Sequence, residues 1–293
     1  MGPTLRGSLL ATLALALVGS LVAASDVVES YPFAEGQFVR YLLAGGVLLA
    51  LARGRLPRLG RQEALGLAAL AATGLVLFNV FVIEGVRETD PATVGVIVGC
   101  VPVVLAFAGP LQGGRRVRPR VVLAAVVVAA GAAGVQSVDG GLTGAGLALA
   151  LGALACEAAF SLLAAPHLER LGPLAVSAYA CLFALPMLAA WSVVSGPELS
   201  APSGDEAAAL VYLGVAVTTG GFVSWYSAVR ELGVERAGLF SGVLPVSALA
   251  CSALLGLAEV TPERLAAVAV VAAGITVGVR AGAPPAVQAP AAS

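Results

Sequence analysis

Lysine is absent from this 293-residue chain, histidine and asparagine occur once each, and charged residues make up only 11%. Soluble domains carry roughly 25% charged residues, so this surface is not built to face water. The net charge of −1 and the want of a basic patch interleaved with aromatics argue against a nucleic-acid partner. The four cysteines (Cys100, Cys156, Cys181 and Cys251) show no CxxC spacing. They read as small apolar packing residues rather than as disulfide or metal ligands. HExxH, GxSxG and Walker sequences are also missing, and His167 sits at a helix end, poorly placed for a triad. Enzymatic chemistry is therefore not expected, and neither is a cofactor or a metal.

Apolar residues are plentiful. They make up 59% of the chain and raise its mean hydropathy to +0.97. Ten apolar runs follow one another with short gaps: about 8–25, 34–52, 64–86, 91–111, 119–137, 144–166, 172–194, 207–229, 236–257 and 262–280. Each is near the length at which a helix crosses about 30 Å of hydrocarbon. Only helices and closed barrels satisfy every backbone group in lipid, and these runs lack the alternation of barrel strands. The expectation is an all-α membrane protein of ten transmembrane helices, with the lipid bilayer as its first partner.

With lysine absent, arginine alone carries the positive-inside signal. If the spans alternate, Arg6, Arg53, Arg55, Arg58, Arg61, Arg115, Arg116, Arg118, Arg120, Arg170, Arg230, Arg236 and Arg280 share one side. The other side holds Arg87 and Arg264 with Asp26, Glu29, Glu35, Glu88, Asp90, Asp139, Glu198, Asp205, Glu206 and Glu263. Thirteen arginines against two place both termini in the cytoplasm of a cell whose plasma membrane the chain crosses many times. Residues 1–25 could pass for a cleaved signal peptide. Cleavage, however, would leave nine helices and spoil the internal repeat, so the segment is expected to stay as the first span.

That repeat has an offset of 143 residues. It carries "GVIVGCVPV" (95–103) onto "GLFSGVLPV" (238–246), Val86-Arg87-Glu88 onto Val229-Arg230-Glu231, Pro119 onto Pro262, and "VVAAG" (127–131) onto "VVAAG" (270–274). The chain divides into a first unit (1–137), a second unit (143–280) and a proline- and alanine-rich tail (281–293) expected to be disordered. Five helices per unit is an odd number, so the second unit enters the membrane from the opposite side. Inverted repeats of this kind are the architecture of many secondary transporters. Proline cannot donate a backbone hydrogen bond, so Pro102 and Pro245 are expected to free the carbonyls of Val98 and Ser241 near midplane. Gly95, Gly99, Gly238 and Gly242 either open a binding or gating region or simply let helices pack closely.

The segment from Val211 to Gly278 resembles the second EamA domain of the drug/metabolite transporter superfamily. The resemblance lies in Trp225-Tyr226, the "AVRELG" turn (228–233), the central Leu-Pro-Val (244–246), Glu259 after span 9 and a glycine in span 10. The first half is similar through Gly19-Ser20, Pro32, Arg40 and Val101-Pro102-Val103. It departs at Val18, where the family usually has tryptophan, and at Arg116, which aligns with Glu259. The resemblance covers about residues 8–280. It implies a ten-helix transporter with a central cavity between its halves, moving a small molecule (a metabolite, amino acid or drug), with export the expected direction. A non-transporting membrane scaffold or sensor is the alternative, and a homodimer stays open.

Few polar side chains lie deep in the spans. Glu157 is two residues past the centre of span 6, about 3 Å from midplane at ~1.5 Å per residue. It either faces the cavity, for proton coupling or a cationic substrate, or serves as a salt-bridged or protonated packing residue. Arg40, early in span 2, is shallow enough to snorkel and reads as structural before ligand-binding. Asn79 either reads a ligand or holds helices together. Trp225 and Tyr226 form either a cavity wall or an interfacial belt. Glu259, just before Thr261-Pro262, reads as part of a helix start.

Overall fold

A computed structural model describes residues 3–24, 31–136, 143–196 and 200–281. Asp26, Glu29, Asp139, Glu198 and the tail from residue 282 lie outside the described residues. Among the described residues ten helical spans cross the molecule: α1 (Pro3–Gly19), α2 (Phe33–Leu51), α3 (Arg61–Glu88), α4 (Pro91–Gln112), α5 (Pro119–Val135), α6 (Gly144–Ala164), α7 (Leu168–Ser195), α8 (Gly204–Leu232), α9 (Val234–Leu254) and α10 (Pro262–Ala281). Among the described residues there is no strand.

Local chemistry sets the helix starts. Asp90 caps α4 by accepting from the Thr93 amide at 3.1 Å, and Pro91 follows at the first helical position. Thr143 caps α6 through the Gly146 amide, and Ser203 with Glu206 forms a reciprocal capping box on α8. Near its start α7 kinks at Gly172, whose φ of 78° is open to glycine at little cost, with Pro173 next. Exposed leucines such as Leu9, Leu42, Leu65, Leu123 and Leu151 form the lipid-facing surface. The interior is built around alanine with larger anchors such as Leu48, Leu70, Leu105 and Tyr226.

The α5 helix packs extensively against α10. A Cβ on Gly131 would lie 2.9 Å from the Val271 amide nitrogen and 3.1 Å from the Ala267 carbonyl. Reciprocally, a Cβ on Gly274 would lie 3.1 Å from the Val128 nitrogen and 3.2 Å from the Ala124 carbonyl. The 143 offset exchanges these two sets of residues. Further along, Gly134 meets Ala267 and Gly278 meets Ala124, so residue numbers rise on one helix as they fall on the other. The two helices are antiparallel about a local two-fold axis, which is the inversion the odd helix count requires. The fold is thus two inverted five-helix repeats.

Besides the kink at Gly172 in α7, four spans are interrupted among the described residues, in two matched pairs. Residues 71–77 of α3 and 213–220 of α8 are π-helical, and the offset carries the first onto 214–220. In α4 the helix breaks at Gly99–Cys100, and in α9 residues 238–242 tighten to 3₁₀ geometry. The α4 break precedes its proline. Pro102 is the second residue of the segment Val101–Gln112, and Pro245 the third of Val243–Leu254. In the first turn a missing N–H costs little. Accordingly, Pro102→Ala and Pro245→Ala should each change thermal stability by less than about 0.5 kcal/mol, against about 3 kcal/mol for a mid-helix proline. Thermal unfolding of the purified variants checks this.

Candidate functional site

Glu157 lies on the face of α6 that also carries the buried Ala153, Phe160, Ser161 and Ala164. It is half-buried, and among the described residues no group hydrogen-bonds or ion-pairs with it. Its charged neighbourhood is sparse, the Tyr226 hydroxyl and the Cys156 thiol being the titratable groups within electrostatic range. Across the interior stand Arg40 and Tyr41 on α2, Asn79 on α3 and Cys181 on α7. The Tyr41 hydroxyl meets the Asn79 side chain, and Arg40 and Cys181 both lie within electrostatic range of Tyr41. Cys181 is likewise within range of Tyr226, so these groups form one chain of neighbours through the core.

The geometry bears on three of the sequence expectations. Arg40 does not snorkel outward. Its Nε donates to Thr218 Oγ1 at 2.6 Å, and its guanidinium carbon stands 5.6 Å from the Tyr41 ring centroid. Thr218 is fully buried and in turn donates to the Leu213 carbonyl, one of the backbone groups displaced by the π-helical segment. Trp225 and Tyr226 are no interfacial belt. Tyr226 is fully buried and Trp225 nearly so, with Trp225 Nε1 donating to Ser161 Oγ at 3.1 Å. Phe160, Phe222 and Tyr226 pack as a tilted aromatic group, with centroids 5.0 to 6.2 Å apart. Asn79 Nδ2 donates to the Leu75 carbonyl at 2.8 Å within the α3 π-segment, so part of its work is local.

The gating glycines divide by neighbour. Gly238 abuts Leu105 on α4, and Gly242 sits against both Val128 and Val271 at the repeat axis. Gly95 faces the Gln136 side chain, whereas Gly99 faces only its own helix backbone. Glu259 lends its carbonyl to Arg264 at the start of α10. Sequence reasoning missed Tyr41, Thr218 and Gln37, whose Oε1 is buried with no donor among the described residues. The signals available were a tyrosine beside Arg40, a Thr-Thr pair inside span 8 and a lone amide in span 2.

The two ends of this core differ. Opposite the arginine-rich loops, α2, α3 and α7 part around a cavity of about 460 Å³, lined by Glu35, Val80, Glu84, Arg87 and Trp191 among others. Its wall residue Val80 adjoins Asn79. Glu35 accepts a hydrogen bond from Ser192 Oγ, and Arg87 pairs with Glu84 at 2.8 Å. At the arginine-rich end α7 is tied to α3 and to the α2–α3 loop. Arg170 grips both carboxylate oxygens of Glu63 and reaches the Arg58 carbonyl, and Tyr179 donates to the Pro57 carbonyl at 2.6 Å.

A sequence model of the EamA-like transporter family matches residues 5–136 and again residues 144–279. The chain belongs to the EamA-like transporter family. The "Uncharacterized transporter YetK" of Bacillus subtilis (strain 168) is 27% identical over 256 residues, covering 83% of this chain and 77% of that protein. A solved crystal structure aligns with a TM-score of 0.78 over 93% of this chain and 96% of its own, at 22% identity, and shares the fold. This EamA-like transporter is therefore a multi-pass membrane protein of the drug/metabolite type, not a member of an enzyme family.

Proposed function

We propose that the chain is a secondary transporter that works by alternating access, with Glu157, Arg40, Asn79, Tyr41 and the Tyr226 edge forming its substrate region. The observation that carries this reading is a set of polar groups deep in the spans, two of them charged and without an opposite charge among the described residues, between an open end and a tied end. A bare carboxylate or guanidinium inside a bilayer is costly unless water, a proton or a ligand attends it. A carboxylate and a guanidinium held apart favour a small zwitterionic metabolite of amino-acid type, with export as the direction. The arginine-rich end is cytoplasmic by the positive-inside rule, so the conformation described is outward-open, in the plasma membrane of a bacterium. The paired irregular segments in α3 and α8, and in α4 and α9, supply bendable points for exchanging the open and tied ends.

The closure gives a test that needs no known substrate. Arg170→Gln loosens the cytoplasmic tie between α3 and α7. In a cysteine-free background carrying Asn79→Cys, an impermeant maleimide applied from the cytoplasmic face should then label several-fold faster, with slower labelling from outside. Unchanged rates from both faces would remove alternating access through this closure. The scaffold reading predicts that outcome.

A further inference from the structure

The transport core leaves a second cavity unused. At the arginine-rich end, the α4–α5 connection folds over a hollow of about 640 Å³, lined by Arg115, Arg116, Arg118 and Arg120 and by the Glu235 carboxylate at the start of α9. Glu235 is almost fully buried and takes Arg115 in a two-pronged pair, at 2.5 and 2.9 Å. That pair holds Arg115 charged, its pKa above the ordinary arginine value. It uses the one carboxylate in the lining, and Arg116 and Arg120 add positive charge beyond that pair. Arg236 adds to it, lying within electrostatic range of Arg115 and Arg118. The rest of the lining is apolar, with Ala106 and Pro110 on α4, Val117 in the connection and Val121 on α5 among it.

A loop that served only to orient the chain would need positive charge on one side and nothing more. Here four arginines line one concave space, and a buried carboxylate fixes the loop that carries them. From this geometry we infer a binding site for a phosphate-bearing anion, whose best occupant is the headgroup of an anionic phospholipid. Guanidinium forks match phosphate oxygens in pairs, and the apolar lining from α4, α5 and their connection offers contacts for glycerol and acyl carbons. A free phosphate or phosphomonoester shares the polar half of this recognition but leaves the apolar lining uncovered. The inference is independent of the transport reading, because neither Glu157 nor Arg40 takes part.

The full chain in neutral detergent is titrated with phosphatidylglycerol, with phosphatidylcholine and with inorganic phosphate. Retained lipid is read by native mass spectrometry and protection by thermal unfolding. Arg116→Gln with Arg120→Gln should weaken phosphatidylglycerol about thirtyfold, taking about 1 kcal/mol per arginine near a charged headgroup. Arg53→Gln with Arg55→Gln removes the same charge from another loop on that side and should leave lipid retention close to wild type. Should the first pair fold poorly, Arg116→Lys with Arg120→Lys keeps the charge but not the fork, and should lose part of the selectivity. Protection by inorganic phosphate that displaces the lipid, and that vanishes in the first pair, would keep the site and assign it to a free anion. Equal losses in both glutamine pairs, or no preference for phosphatidylglycerol over phosphatidylcholine and no phosphate effect, would overturn it.

Discussion

Gly131→Leu should lower the thermal midpoint by about 5–10 °C, the consequence of about 2–3 kcal/mol of overpacking where α5 meets α10. The neighbours are not flexible side-chain ends that can swing away. A Cβ at residue 131 already lies 2.9 Å from a backbone nitrogen and 3.1 Å from a backbone oxygen of α10. A larger side chain must therefore separate two whole helices. The two-fold relation makes the prediction sharper, because Gly274 looks into the same contact from the other side. Gly274→Leu should cost a similar amount. The double variant should cost clearly less than the sum, because once the helices part both side chains share the gap. Gly46→Leu is the control, since a Cβ there meets nothing within 4 Å. Strict additivity, or a Gly131→Leu midpoint equal to that of the control, would count against a two-fold contact at this seam.

The same seam shows what the sequence could and could not disclose. The "VVAAG" match was the least informative part of the repeat, because alanine and valine recur everywhere in this chain. In space it is the repeat's own interface, with Val128 against Gly274 and Val271 against Gly131. The scarce residues, such as Pro102 with Pro245 and Arg87 with Arg230, revealed the duplication but lie away from that contact. Span number and ends were readable because twenty apolar residues in a row have few other uses, and because capping residues mark the starts. The π-helical segments were not readable. Their displaced carbonyls are met by side chains such as Asn79 and Thr218, which in sequence look like any polar residue in a span.

Depth and facing were the other gaps. Position along a span put Arg40 near the outer surface, but the length of its side chain lets the head turn inward to Thr218 on α8. Trp225 and Tyr226 fitted a membrane belt as well as a cavity wall, since period alone does not say which neighbour a helix face meets. Packing against α6, through Ser161 and Phe160, decides for the interior. Cys181 read as packing from composition alone. Its place among Arg40, Tyr41 and Tyr226 depends on α2, α7 and α8 coming together, which no local pattern encodes.

Glu157→Gln should leave the protein folded and inserted, and abolish transport or strip it of its pH dependence. Glutamine keeps the length, shape and hydrogen-bonding capacity of the side chain and removes only the titratable proton. Among the described residues Glu157 has no ion-pair partner whose loss would unbalance the core. Removing its charge therefore orphans nothing, unlike breaking a buried salt bridge, which costs about 3–5 kcal/mol. Expression and thermal midpoint should hold or rise, as they would for any carboxylate relieved of desolvation. The functional cost is of another kind. A carboxylate in the membrane interior is tolerable when it carries a proton or faces a cation, and exchanging one for the other is how a single residue can couple two fluxes. Comparing metabolites in cells with and without the protein supplies the substrate, and flux is then measured in vesicles across pH 5 to 9. The Gln variant should show a flat profile at a small fraction of wild-type flux, or none. Glu157→Asp, which keeps the proton but draws it back by one methylene, should retain the pH dependence with reduced flux. A Gln variant with the wild-type pH profile and unchanged substrate affinity would make Glu157 a packing residue, and would leave Arg40 as the one charged group of the substrate region.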